Sequence, residues 1–203
     1  MNILVINCAY KTRLGLINNN DEMQEVDINE KTNDNLLGHI EKLLKANKLE
    51  LDNLDVIGVC IGPGSFTGLR ASISLVKGIC TSKNIKVITF TSFEELEYNK
   101  EDYLVLEGFS SFVYILHKGK AECKDIGEVK NDIKTIKGKI LLQTESLKDK
   151  LGNYQVASKK TQIMLKEKIK MANFSNFETI EPLYLRASQA EIEREKKIKN
   201  DKN

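Results

Sequence analysis

A chain of 203 residues with 31 lysines and arginines against 29 acidic residues has a formal net charge of +2, which argues against a protein that grips nucleic acid through a basic surplus. Tryptophan is absent and aromatic residues make up 6%, so a base-stacking platform is not expected. Four cysteines (Cys8, Cys60, Cys80, Cys123) lie far apart without a C-x-x-C pair, no apolar run reaches the ~18 residues of a membrane span, and no signal-peptide pattern opens the chain, so the expectation is a cytoplasmic protein with buried, reduced thiols.

Ile3-Leu4-Val5-Ile6 is a continuous apolar run, as expected of a strand buried on both faces. Arg13–Ile17 and the stretch from Glu22 to Ile28 follow as two further strands joined by the Asn18–Asp21 turn. Leu36, Leu37, Ile40, Leu43 and Leu44 recur at helical spacing, with Asn33 or Thr32 as a cap. A strand over Asp55–Ile61, a glycine-rich loop, a helix from Leu69 to Cys80 and a strand over Lys86–Phe90 complete the first half. Strands at Tyr103–Glu107, Phe112–His117 and Ala121–Ile126 open the second, followed by a helix from Glu128 to Ile136, a strand at Lys139–Gln143, a short helix at Glu145–Leu151 and a helix from about Lys159 to Met171. Three antiparallel strands, a helix, a parallel strand and a helix therefore occur twice, which predicts an α/β fold of the duplicated actin-like class (actin, Hsp70 and sugar kinases; ribonuclease H-like) with a reduced second lobe. The expected units are residues 1–92 as an N-terminal lobe, 93–179 as a smaller C-terminal lobe, and 180–203 as an extended segment leading into a charged helix, with Phe93–Asp102 as the junction.

The most specific string is Gly62-Pro63-Gly64-Ser65-Phe66-Thr67-Gly68, followed by Leu69 and Arg70. Its glycines and proline set a tight path between a strand and a helix, where the N–H groups of the first helical turn could meet a carboxylate or phosphate. With Ser65-Phe66-Thr67 and Arg70 included, the string resembles the signature of the TsaB (YeaZ) family, and Pro182-Leu183-Tyr184-Leu185-Arg186 with Ser188-Gln189-Ala190-Glu191 is similar to the family's terminal segment. The likeness covers most of the first half and the C-terminal stretch; the middle, from about Glu107 to Phe177, is shorter and more divergent. The resemblance implies a catalytically silent scaffold that pairs with TsaD, works with the ATPase TsaE, and supports threonylcarbamoyl transfer to adenosine 37 of tRNA. It also implies indirect contact with tRNA, a homodimer when alone, no membrane association and no intrinsic cofactor, with ATP or ADP only at the interface of the complex. An older label of the family suggests a peptidase.

Three departures from the family pattern bear on chemistry. Asn7-Cys8-Ala9 stands where Asp-Thr-Ser is usual, Thr32-Asn33-Asp34 where His-Ser-Glu is common, and Glu107-Gly108-Phe109 where Asp-Ala-Arg is expected. Asparagine at position 7 supplies neither charge for Mg²⁺ nor a general base, which weighs against the rival reading as a nucleotide-dependent phosphotransferase. A second rival is a diverged paralogue that no longer binds TsaD. The G-x-S-x-G elbow is missing around Ser65, and His39 and His117 are too few and too separated for a triad or a metal centre.

Arg70 in the first turn of a helix sits against the helix dipole, so either an acidic neighbour such as Asp34 or a bound phosphate should offset it. On the second helix, Leu69, Ile73, Val76, Ile79 and Cys80 form one apolar stripe, with Ala71, Ser74, Leu75 and Gly78 roughly opposite. Leu36, Ile40 and Leu43 on the first helix likewise exceed what one buried stripe needs. Either the second lobe covers this surplus or, as the resemblance implies, a partner does. Leu183, Tyr184 and Leu185 are expected to dock on the first lobe.

Overall fold

The computed structural model describes residues 1–28 and 35–187. β1 (Ile3–Asn7), β2 (Thr12–Ile17) and β3 (Met23–Ile28) form an antiparallel meander, and β4 (Val56–Gly62) and β5 (Lys86–Thr91) add in parallel on the other side of β1. Parallel neighbours need crossover connections, and α1 (Leu36–Ala46) and α2 (Phe66–Ser82) supply them. The strand order is β3-β2-β1-β4-β5. The second half repeats the plan with β6 (Tyr103–Glu107), β7 (Phe112–His117), β8 (Lys120–Asp125), α3 (Ile126–Ile133), β9 (Ile140–Leu142), α4 (Ser146–Leu151) and β10 (Gln155–Val156), in the order β8-β7-β6-β9-β10. The duplication read from the sequence is therefore present strand for strand; only the two-residue β10 had no signal of its own.

β1 is buried along its whole length because both faces are covered. Leu4 and Ile6 face α1 and α2, in a core with Ile40, Leu44, Ile73 and Val76. Ile3 and Val5 face α5 (Thr161–Lys170), which contributes Met164 and Leu165. Each such side chain removed from water stabilises the fold by roughly 1.5–3 kcal/mol. α5 follows the second sheet in the chain yet closes the first, so residues 93–179 do not pack as one lobe. The second sheet buries Tyr103 and Val105 under α3 and α4, while Leu104 and Leu106 pack on Phe93 and Leu96 of the connecting segment. That segment is thus core on one side, with a bridge from Leu96 to Lys159 and a bond from Lys160 N to Glu95 O at 2.7 Å.

Two expectations change at the helix ends and the C-terminus. Asn35 caps α1, its side chain accepting from Gly38 N at 3.1 Å, in place of Asn33 or Thr32, which lie outside the described residues. The terminal segment straps both lobes instead of docking on the first alone: Ile180 enters the first core, Leu183 N donates to Ile61 O at 2.7 Å, and Leu185 packs in the second lobe beside Phe93 and Leu104. The helix expected from Ala187 onward lies outside the described residues after Ala187.

Candidate functional site

The glycine loop is shaped by its own chain. The Gly62–Pro63 peptide is cis, Gly62 has a φ of +111°, and Ser92 holds the loop by donating its N–H to Gly62 O and its hydroxyl to Pro63 O, both at 2.8 Å. Ser65 caps α2: its Oγ accepts from Gly68 N at 3.2 Å, its carbonyl accepts from Leu69 N at 2.9 Å, and its own N–H donates to Ala9 O at 2.6 Å. A Cβ on Gly64 would lie 2.3 Å from Ala9 O, and one on Gly68 would lie 2.2 Å from Cys8 O. The glycines thus permit close packing of the loop on the β1–β2 turn, and the N–H groups of Ser65, Gly68 and Leu69 already have acceptors. Thr67 stands exposed at the start of α2.

Arg70 is offset by rings and a hydroxyl, with no acidic side chain on it among the described residues. Its Nε donates to Tyr184 Oη at 2.8 Å, and its guanidinium lies 5.6 Å from the Tyr184 ring and 5.9 Å from the Phe66 ring. Phe66 and Tyr184 stack with centroids 4.3 Å apart, so Phe66 and Arg70 anchor the terminal strap. Asp34, the other candidate, is outside the described residues.

The positions where a phosphotransferase of this fold would need free acids are otherwise engaged. Asn7, at the end of β1, donates its amide to Glu95 Oε2 at 2.5 Å and accepts from Ala9 N at 2.9 Å. Glu95 is 2% exposed and also takes Arg13 Nη2 at 2.9 Å on both oxygens and the Thr161 hydroxyl at 3.3 Å. Burial pushes its carboxyl above the usual range while the Arg13 guanidinium pulls it back. Glu107, at the matching end of β6, accepts from the hydroxyls of Thr144 and Ser146 and pairs with Lys150 Nζ at 3.3 Å. Burial pushes Glu107 up, but the Ser146 and Thr144 bonds and the Lys150 charge outweigh it and hold the carboxyl below its ordinary value. A polar cleft of about 350 Å³ separates Asn7, Arg13 and Glu95 from Thr144 and Ser146. The described residues hold no cluster of three or more His, Cys, Asp or Glu side chains able to take a metal.

The expected partner surface divides. Leu36, Ile40 and Leu43 are buried in the first core, packed with Leu54 and flanked by Val26, Ile28, Leu49 and Leu51, so they cannot touch a partner. This corrects their assignment to an interface: the lobe's own β3 and the segment after α1 cover that face of the helix. Leu37 remains 40% exposed. On α2, Ser74 and Gly78 are exposed and Ala71 and Leu75 half-buried, and a Cβ on Gly78 would meet nothing within 4 Å. The terminal strap reaches the same helix at Arg70, through Tyr184, and at Lys77, through an ion pair from Glu181 at 3.7 Å, so it borders Ser74 on one side and leaves Ala71, Leu75 and Gly78 beyond it.

A second cleft, of about 570 Å³, opens between the lobes beside the glycine loop. Gly64, Ser65 and Phe66 meet Phe109, Tyr114 and Arg186 across it, and the Tyr114 hydroxyl donates to Gly64 O at 3.3 Å. Three of the four thiols are buried, and burial pushes Cys8 up to about 11 and Cys60 to about 12, which leaves them unreactive; Cys123 is half-buried. Glu95, Thr144 and Ser146 carried no signal in the sequence, because their contacts join distant parts of the chain, and Arg186 stood out only as part of the terminal segment.

Repeated five-stranded sheets, two lobes and an engaged pair of strand-end positions define a protein of the actin-like, ribonuclease H-like class. A family model described as TsaD, tRNA N6-adenosine threonylcarbamoyltransferase, matches residues 27–135. That is more than half of the 203-residue chain, and the chain belongs to this family. YeaZ from Pseudomonas aeruginosa superimposes with a TM-score of 0.69 at 15% identity over 91% of this chain and 99% of the other. A second P. aeruginosa structure, titled an uncharacterized protein with similarity to peptidase YEAZ, gives 0.69 at 16% identity over the same shares. The Mycoplasma pneumoniae protein titled Uncharacterized protein MG208 homolog is 32% identical over 84 residues, covering 38% of this chain and 42% of that protein. The tRNA threonylcarbamoyladenosine biosynthesis protein TsaB of Buchnera aphidicola is 36% identical over 50 residues, covering 25% of this chain and 23% of that protein. The matches thus span less than half the length of either curated relative, and the TsaB (YeaZ) resemblance read from the sequence is borne out. No helix among the described residues is long and apolar enough to cross a membrane.

Proposed function

We propose that the chain serves tRNA threonylcarbamoyladenosine biosynthesis as a non-catalytic partner of TsaD. The observation that carries this reading is the state of the two strand-end positions. Asn7 has no charge and is tied to Glu95, while Glu107 already holds two hydroxyls and a lysine. A residue so occupied offers a substrate or Mg²⁺ no unpaired carboxylate. The chain's part is then to stabilise TsaD through the open side of α2, where Ser74 and Gly78 leave room for another backbone beside Ala71 and Leu75. TsaE, ATP or ADP and tRNA belong to the assembled complex, the last touched indirectly, in the cytoplasm. Without TsaD the same face supports a homodimer.

The phosphotransferase reading predicts the opposite behaviour in a simple assay. The purified chain is expected to release phosphate from Mg·ATP no faster than a buffer control. Steady Mg²⁺-dependent turnover that disappears in Asn7→Ala would overturn the non-catalytic assignment.

A further inference from the structure

The cleft beside the glycine loop has the makings of a small-molecule site that pairing with TsaD does not explain. Its volume of about 570 Å³ falls within the range of ligand pockets, and aromatic rings from both lobes line it. Two of them have no packing role that would require their placement: Phe109 is 68% exposed and Tyr10 is 44% exposed. Phe109 stands at the tip of a tight turn whose next residue, Ser110, has a φ of +57°.

Arg186 supplies the charge. Its guanidinium stacks 5.1 Å from the Phe112 ring and its Nε donates to Ala187 O at 3.3 Å. Its Nη1 is the one buried side-chain nitrogen or oxygen among the described residues without a hydrogen-bond partner. A buried guanidinium N–H without an acceptor is unfavourable; Arg186 as a whole is only half-buried, so a small shift of its side chain toward the cleft would let an oxyanion relieve it. Among the described residues the only carboxylate lining the cleft is Glu107, which Lys150, Thr144 and Ser146 already neutralise and bond. The unbalanced charge of the cleft is therefore positive.

We propose that this cleft binds a small aromatic anion, its ring against Phe109 and Tyr10 and its acidic group on Arg186. A flat ring suits the exposed aromatic walls, and a single arginine sets the preference for a negative group. The site stands on the chain's own residues, so it holds whether or not TsaD binds.

The test is a fluorescence titration of the full chain with 8-anilinonaphthalene-1-sulfonate and with N-phenyl-1-naphthylamine, which has the same rings without the sulfonate. Saturable binding of one sulfonate probe per chain is expected. Arg186→Gln should weaken that probe at least tenfold while the neutral probe stays within twofold, and Phe109→Ala should weaken both. Phe109 is exposed, so its variant keeps the test decisive if Arg186→Gln fails to fold. Competition then identifies the source: displacement by AMP assigns a nucleotide, and displacement by phenylpyruvate assigns an aromatic carboxylate. Unsaturable binding, equal affinity in both variants, or displacement by neither competitor would overturn the proposal.

Discussion

Glu95→Ala is expected to lower stability by about 3 kcal/mol, the lower end of what removing one partner of a buried ion pair costs. The change strands several groups at once. Arg13 loses both 2.9 Å bonds, Asn7 loses the acceptor of its amide, and Thr161 loses a hydroxyl partner. Arg13 keeps a longer contact to Glu25 at 3.5 Å and is partly open to water, which holds the loss to the lower end. These contacts also join three separate parts of the fold, namely the ends of β1 and β2, the connecting segment and the start of α5. For a chain of this size the loss corresponds to a fall in Tm of roughly 6–12 °C. Urea or thermal unfolding of Glu95→Ala beside the parent checks it, and a difference under about 1 kcal/mol would show that the network contributes little.

Gly68→Ala is expected to destabilise by about 1–3 kcal/mol or more, because the new methyl meets backbone and cannot rotate away. The Cβ would lie 2.2 Å from Cys8 O, so either α2 or the β1–β2 turn must shift. Gly78 provides the control on the same helix: a Cβ there has open space, and Gly78→Ala should instead raise stability by about 1 kcal/mol through helix propensity alone. Opposite signs in unfolding experiments would establish that the first glycine serves close packing. Equal tolerance at both positions would show that the loop can yield, and would reopen it as a cradle for a ligand.

The sequence patterns carried the architecture further than the site. β1 was legible as a run of four apolar residues, and both meanders followed from alternating strands and short turns. The α2 stripe of Leu69, Ile73, Val76 and Ile79 is buried as its spacing required. Periodicity reports which face of an element is apolar, but not what covers it. That is why Leu36, Ile40 and Leu43 read as surplus, although β3 and the segment after α1 cover them within the lobe. It is also why α5 gave no sign of returning to the first sheet. The Glu95 network escaped notice for a related reason: its partners lie 66 to 88 residues away, and no local pattern marks a glutamate that will be buried. The glycine string is specific in the sequence, but its reason lies in Cys8 and Ala9 of the β1–β2 turn, more than 50 residues earlier in the chain.

The open side of α2 is the remaining physical footing for a scaffold, since the face of α1 carrying Leu36, Ile40 and Leu43 is sealed by the lobe itself. Co-elution with affinity-tagged TsaD from the same cell, for the parent chain and for Gly78→Arg, probes it directly. The parent is expected to co-elute in equimolar amount, while Gly78→Arg, with a melting curve no lower than the parent's, is expected to elute alone. A parent chain that leaves TsaD unbound, or a Gly78→Arg chain that pairs as well as the parent, would contradict the account.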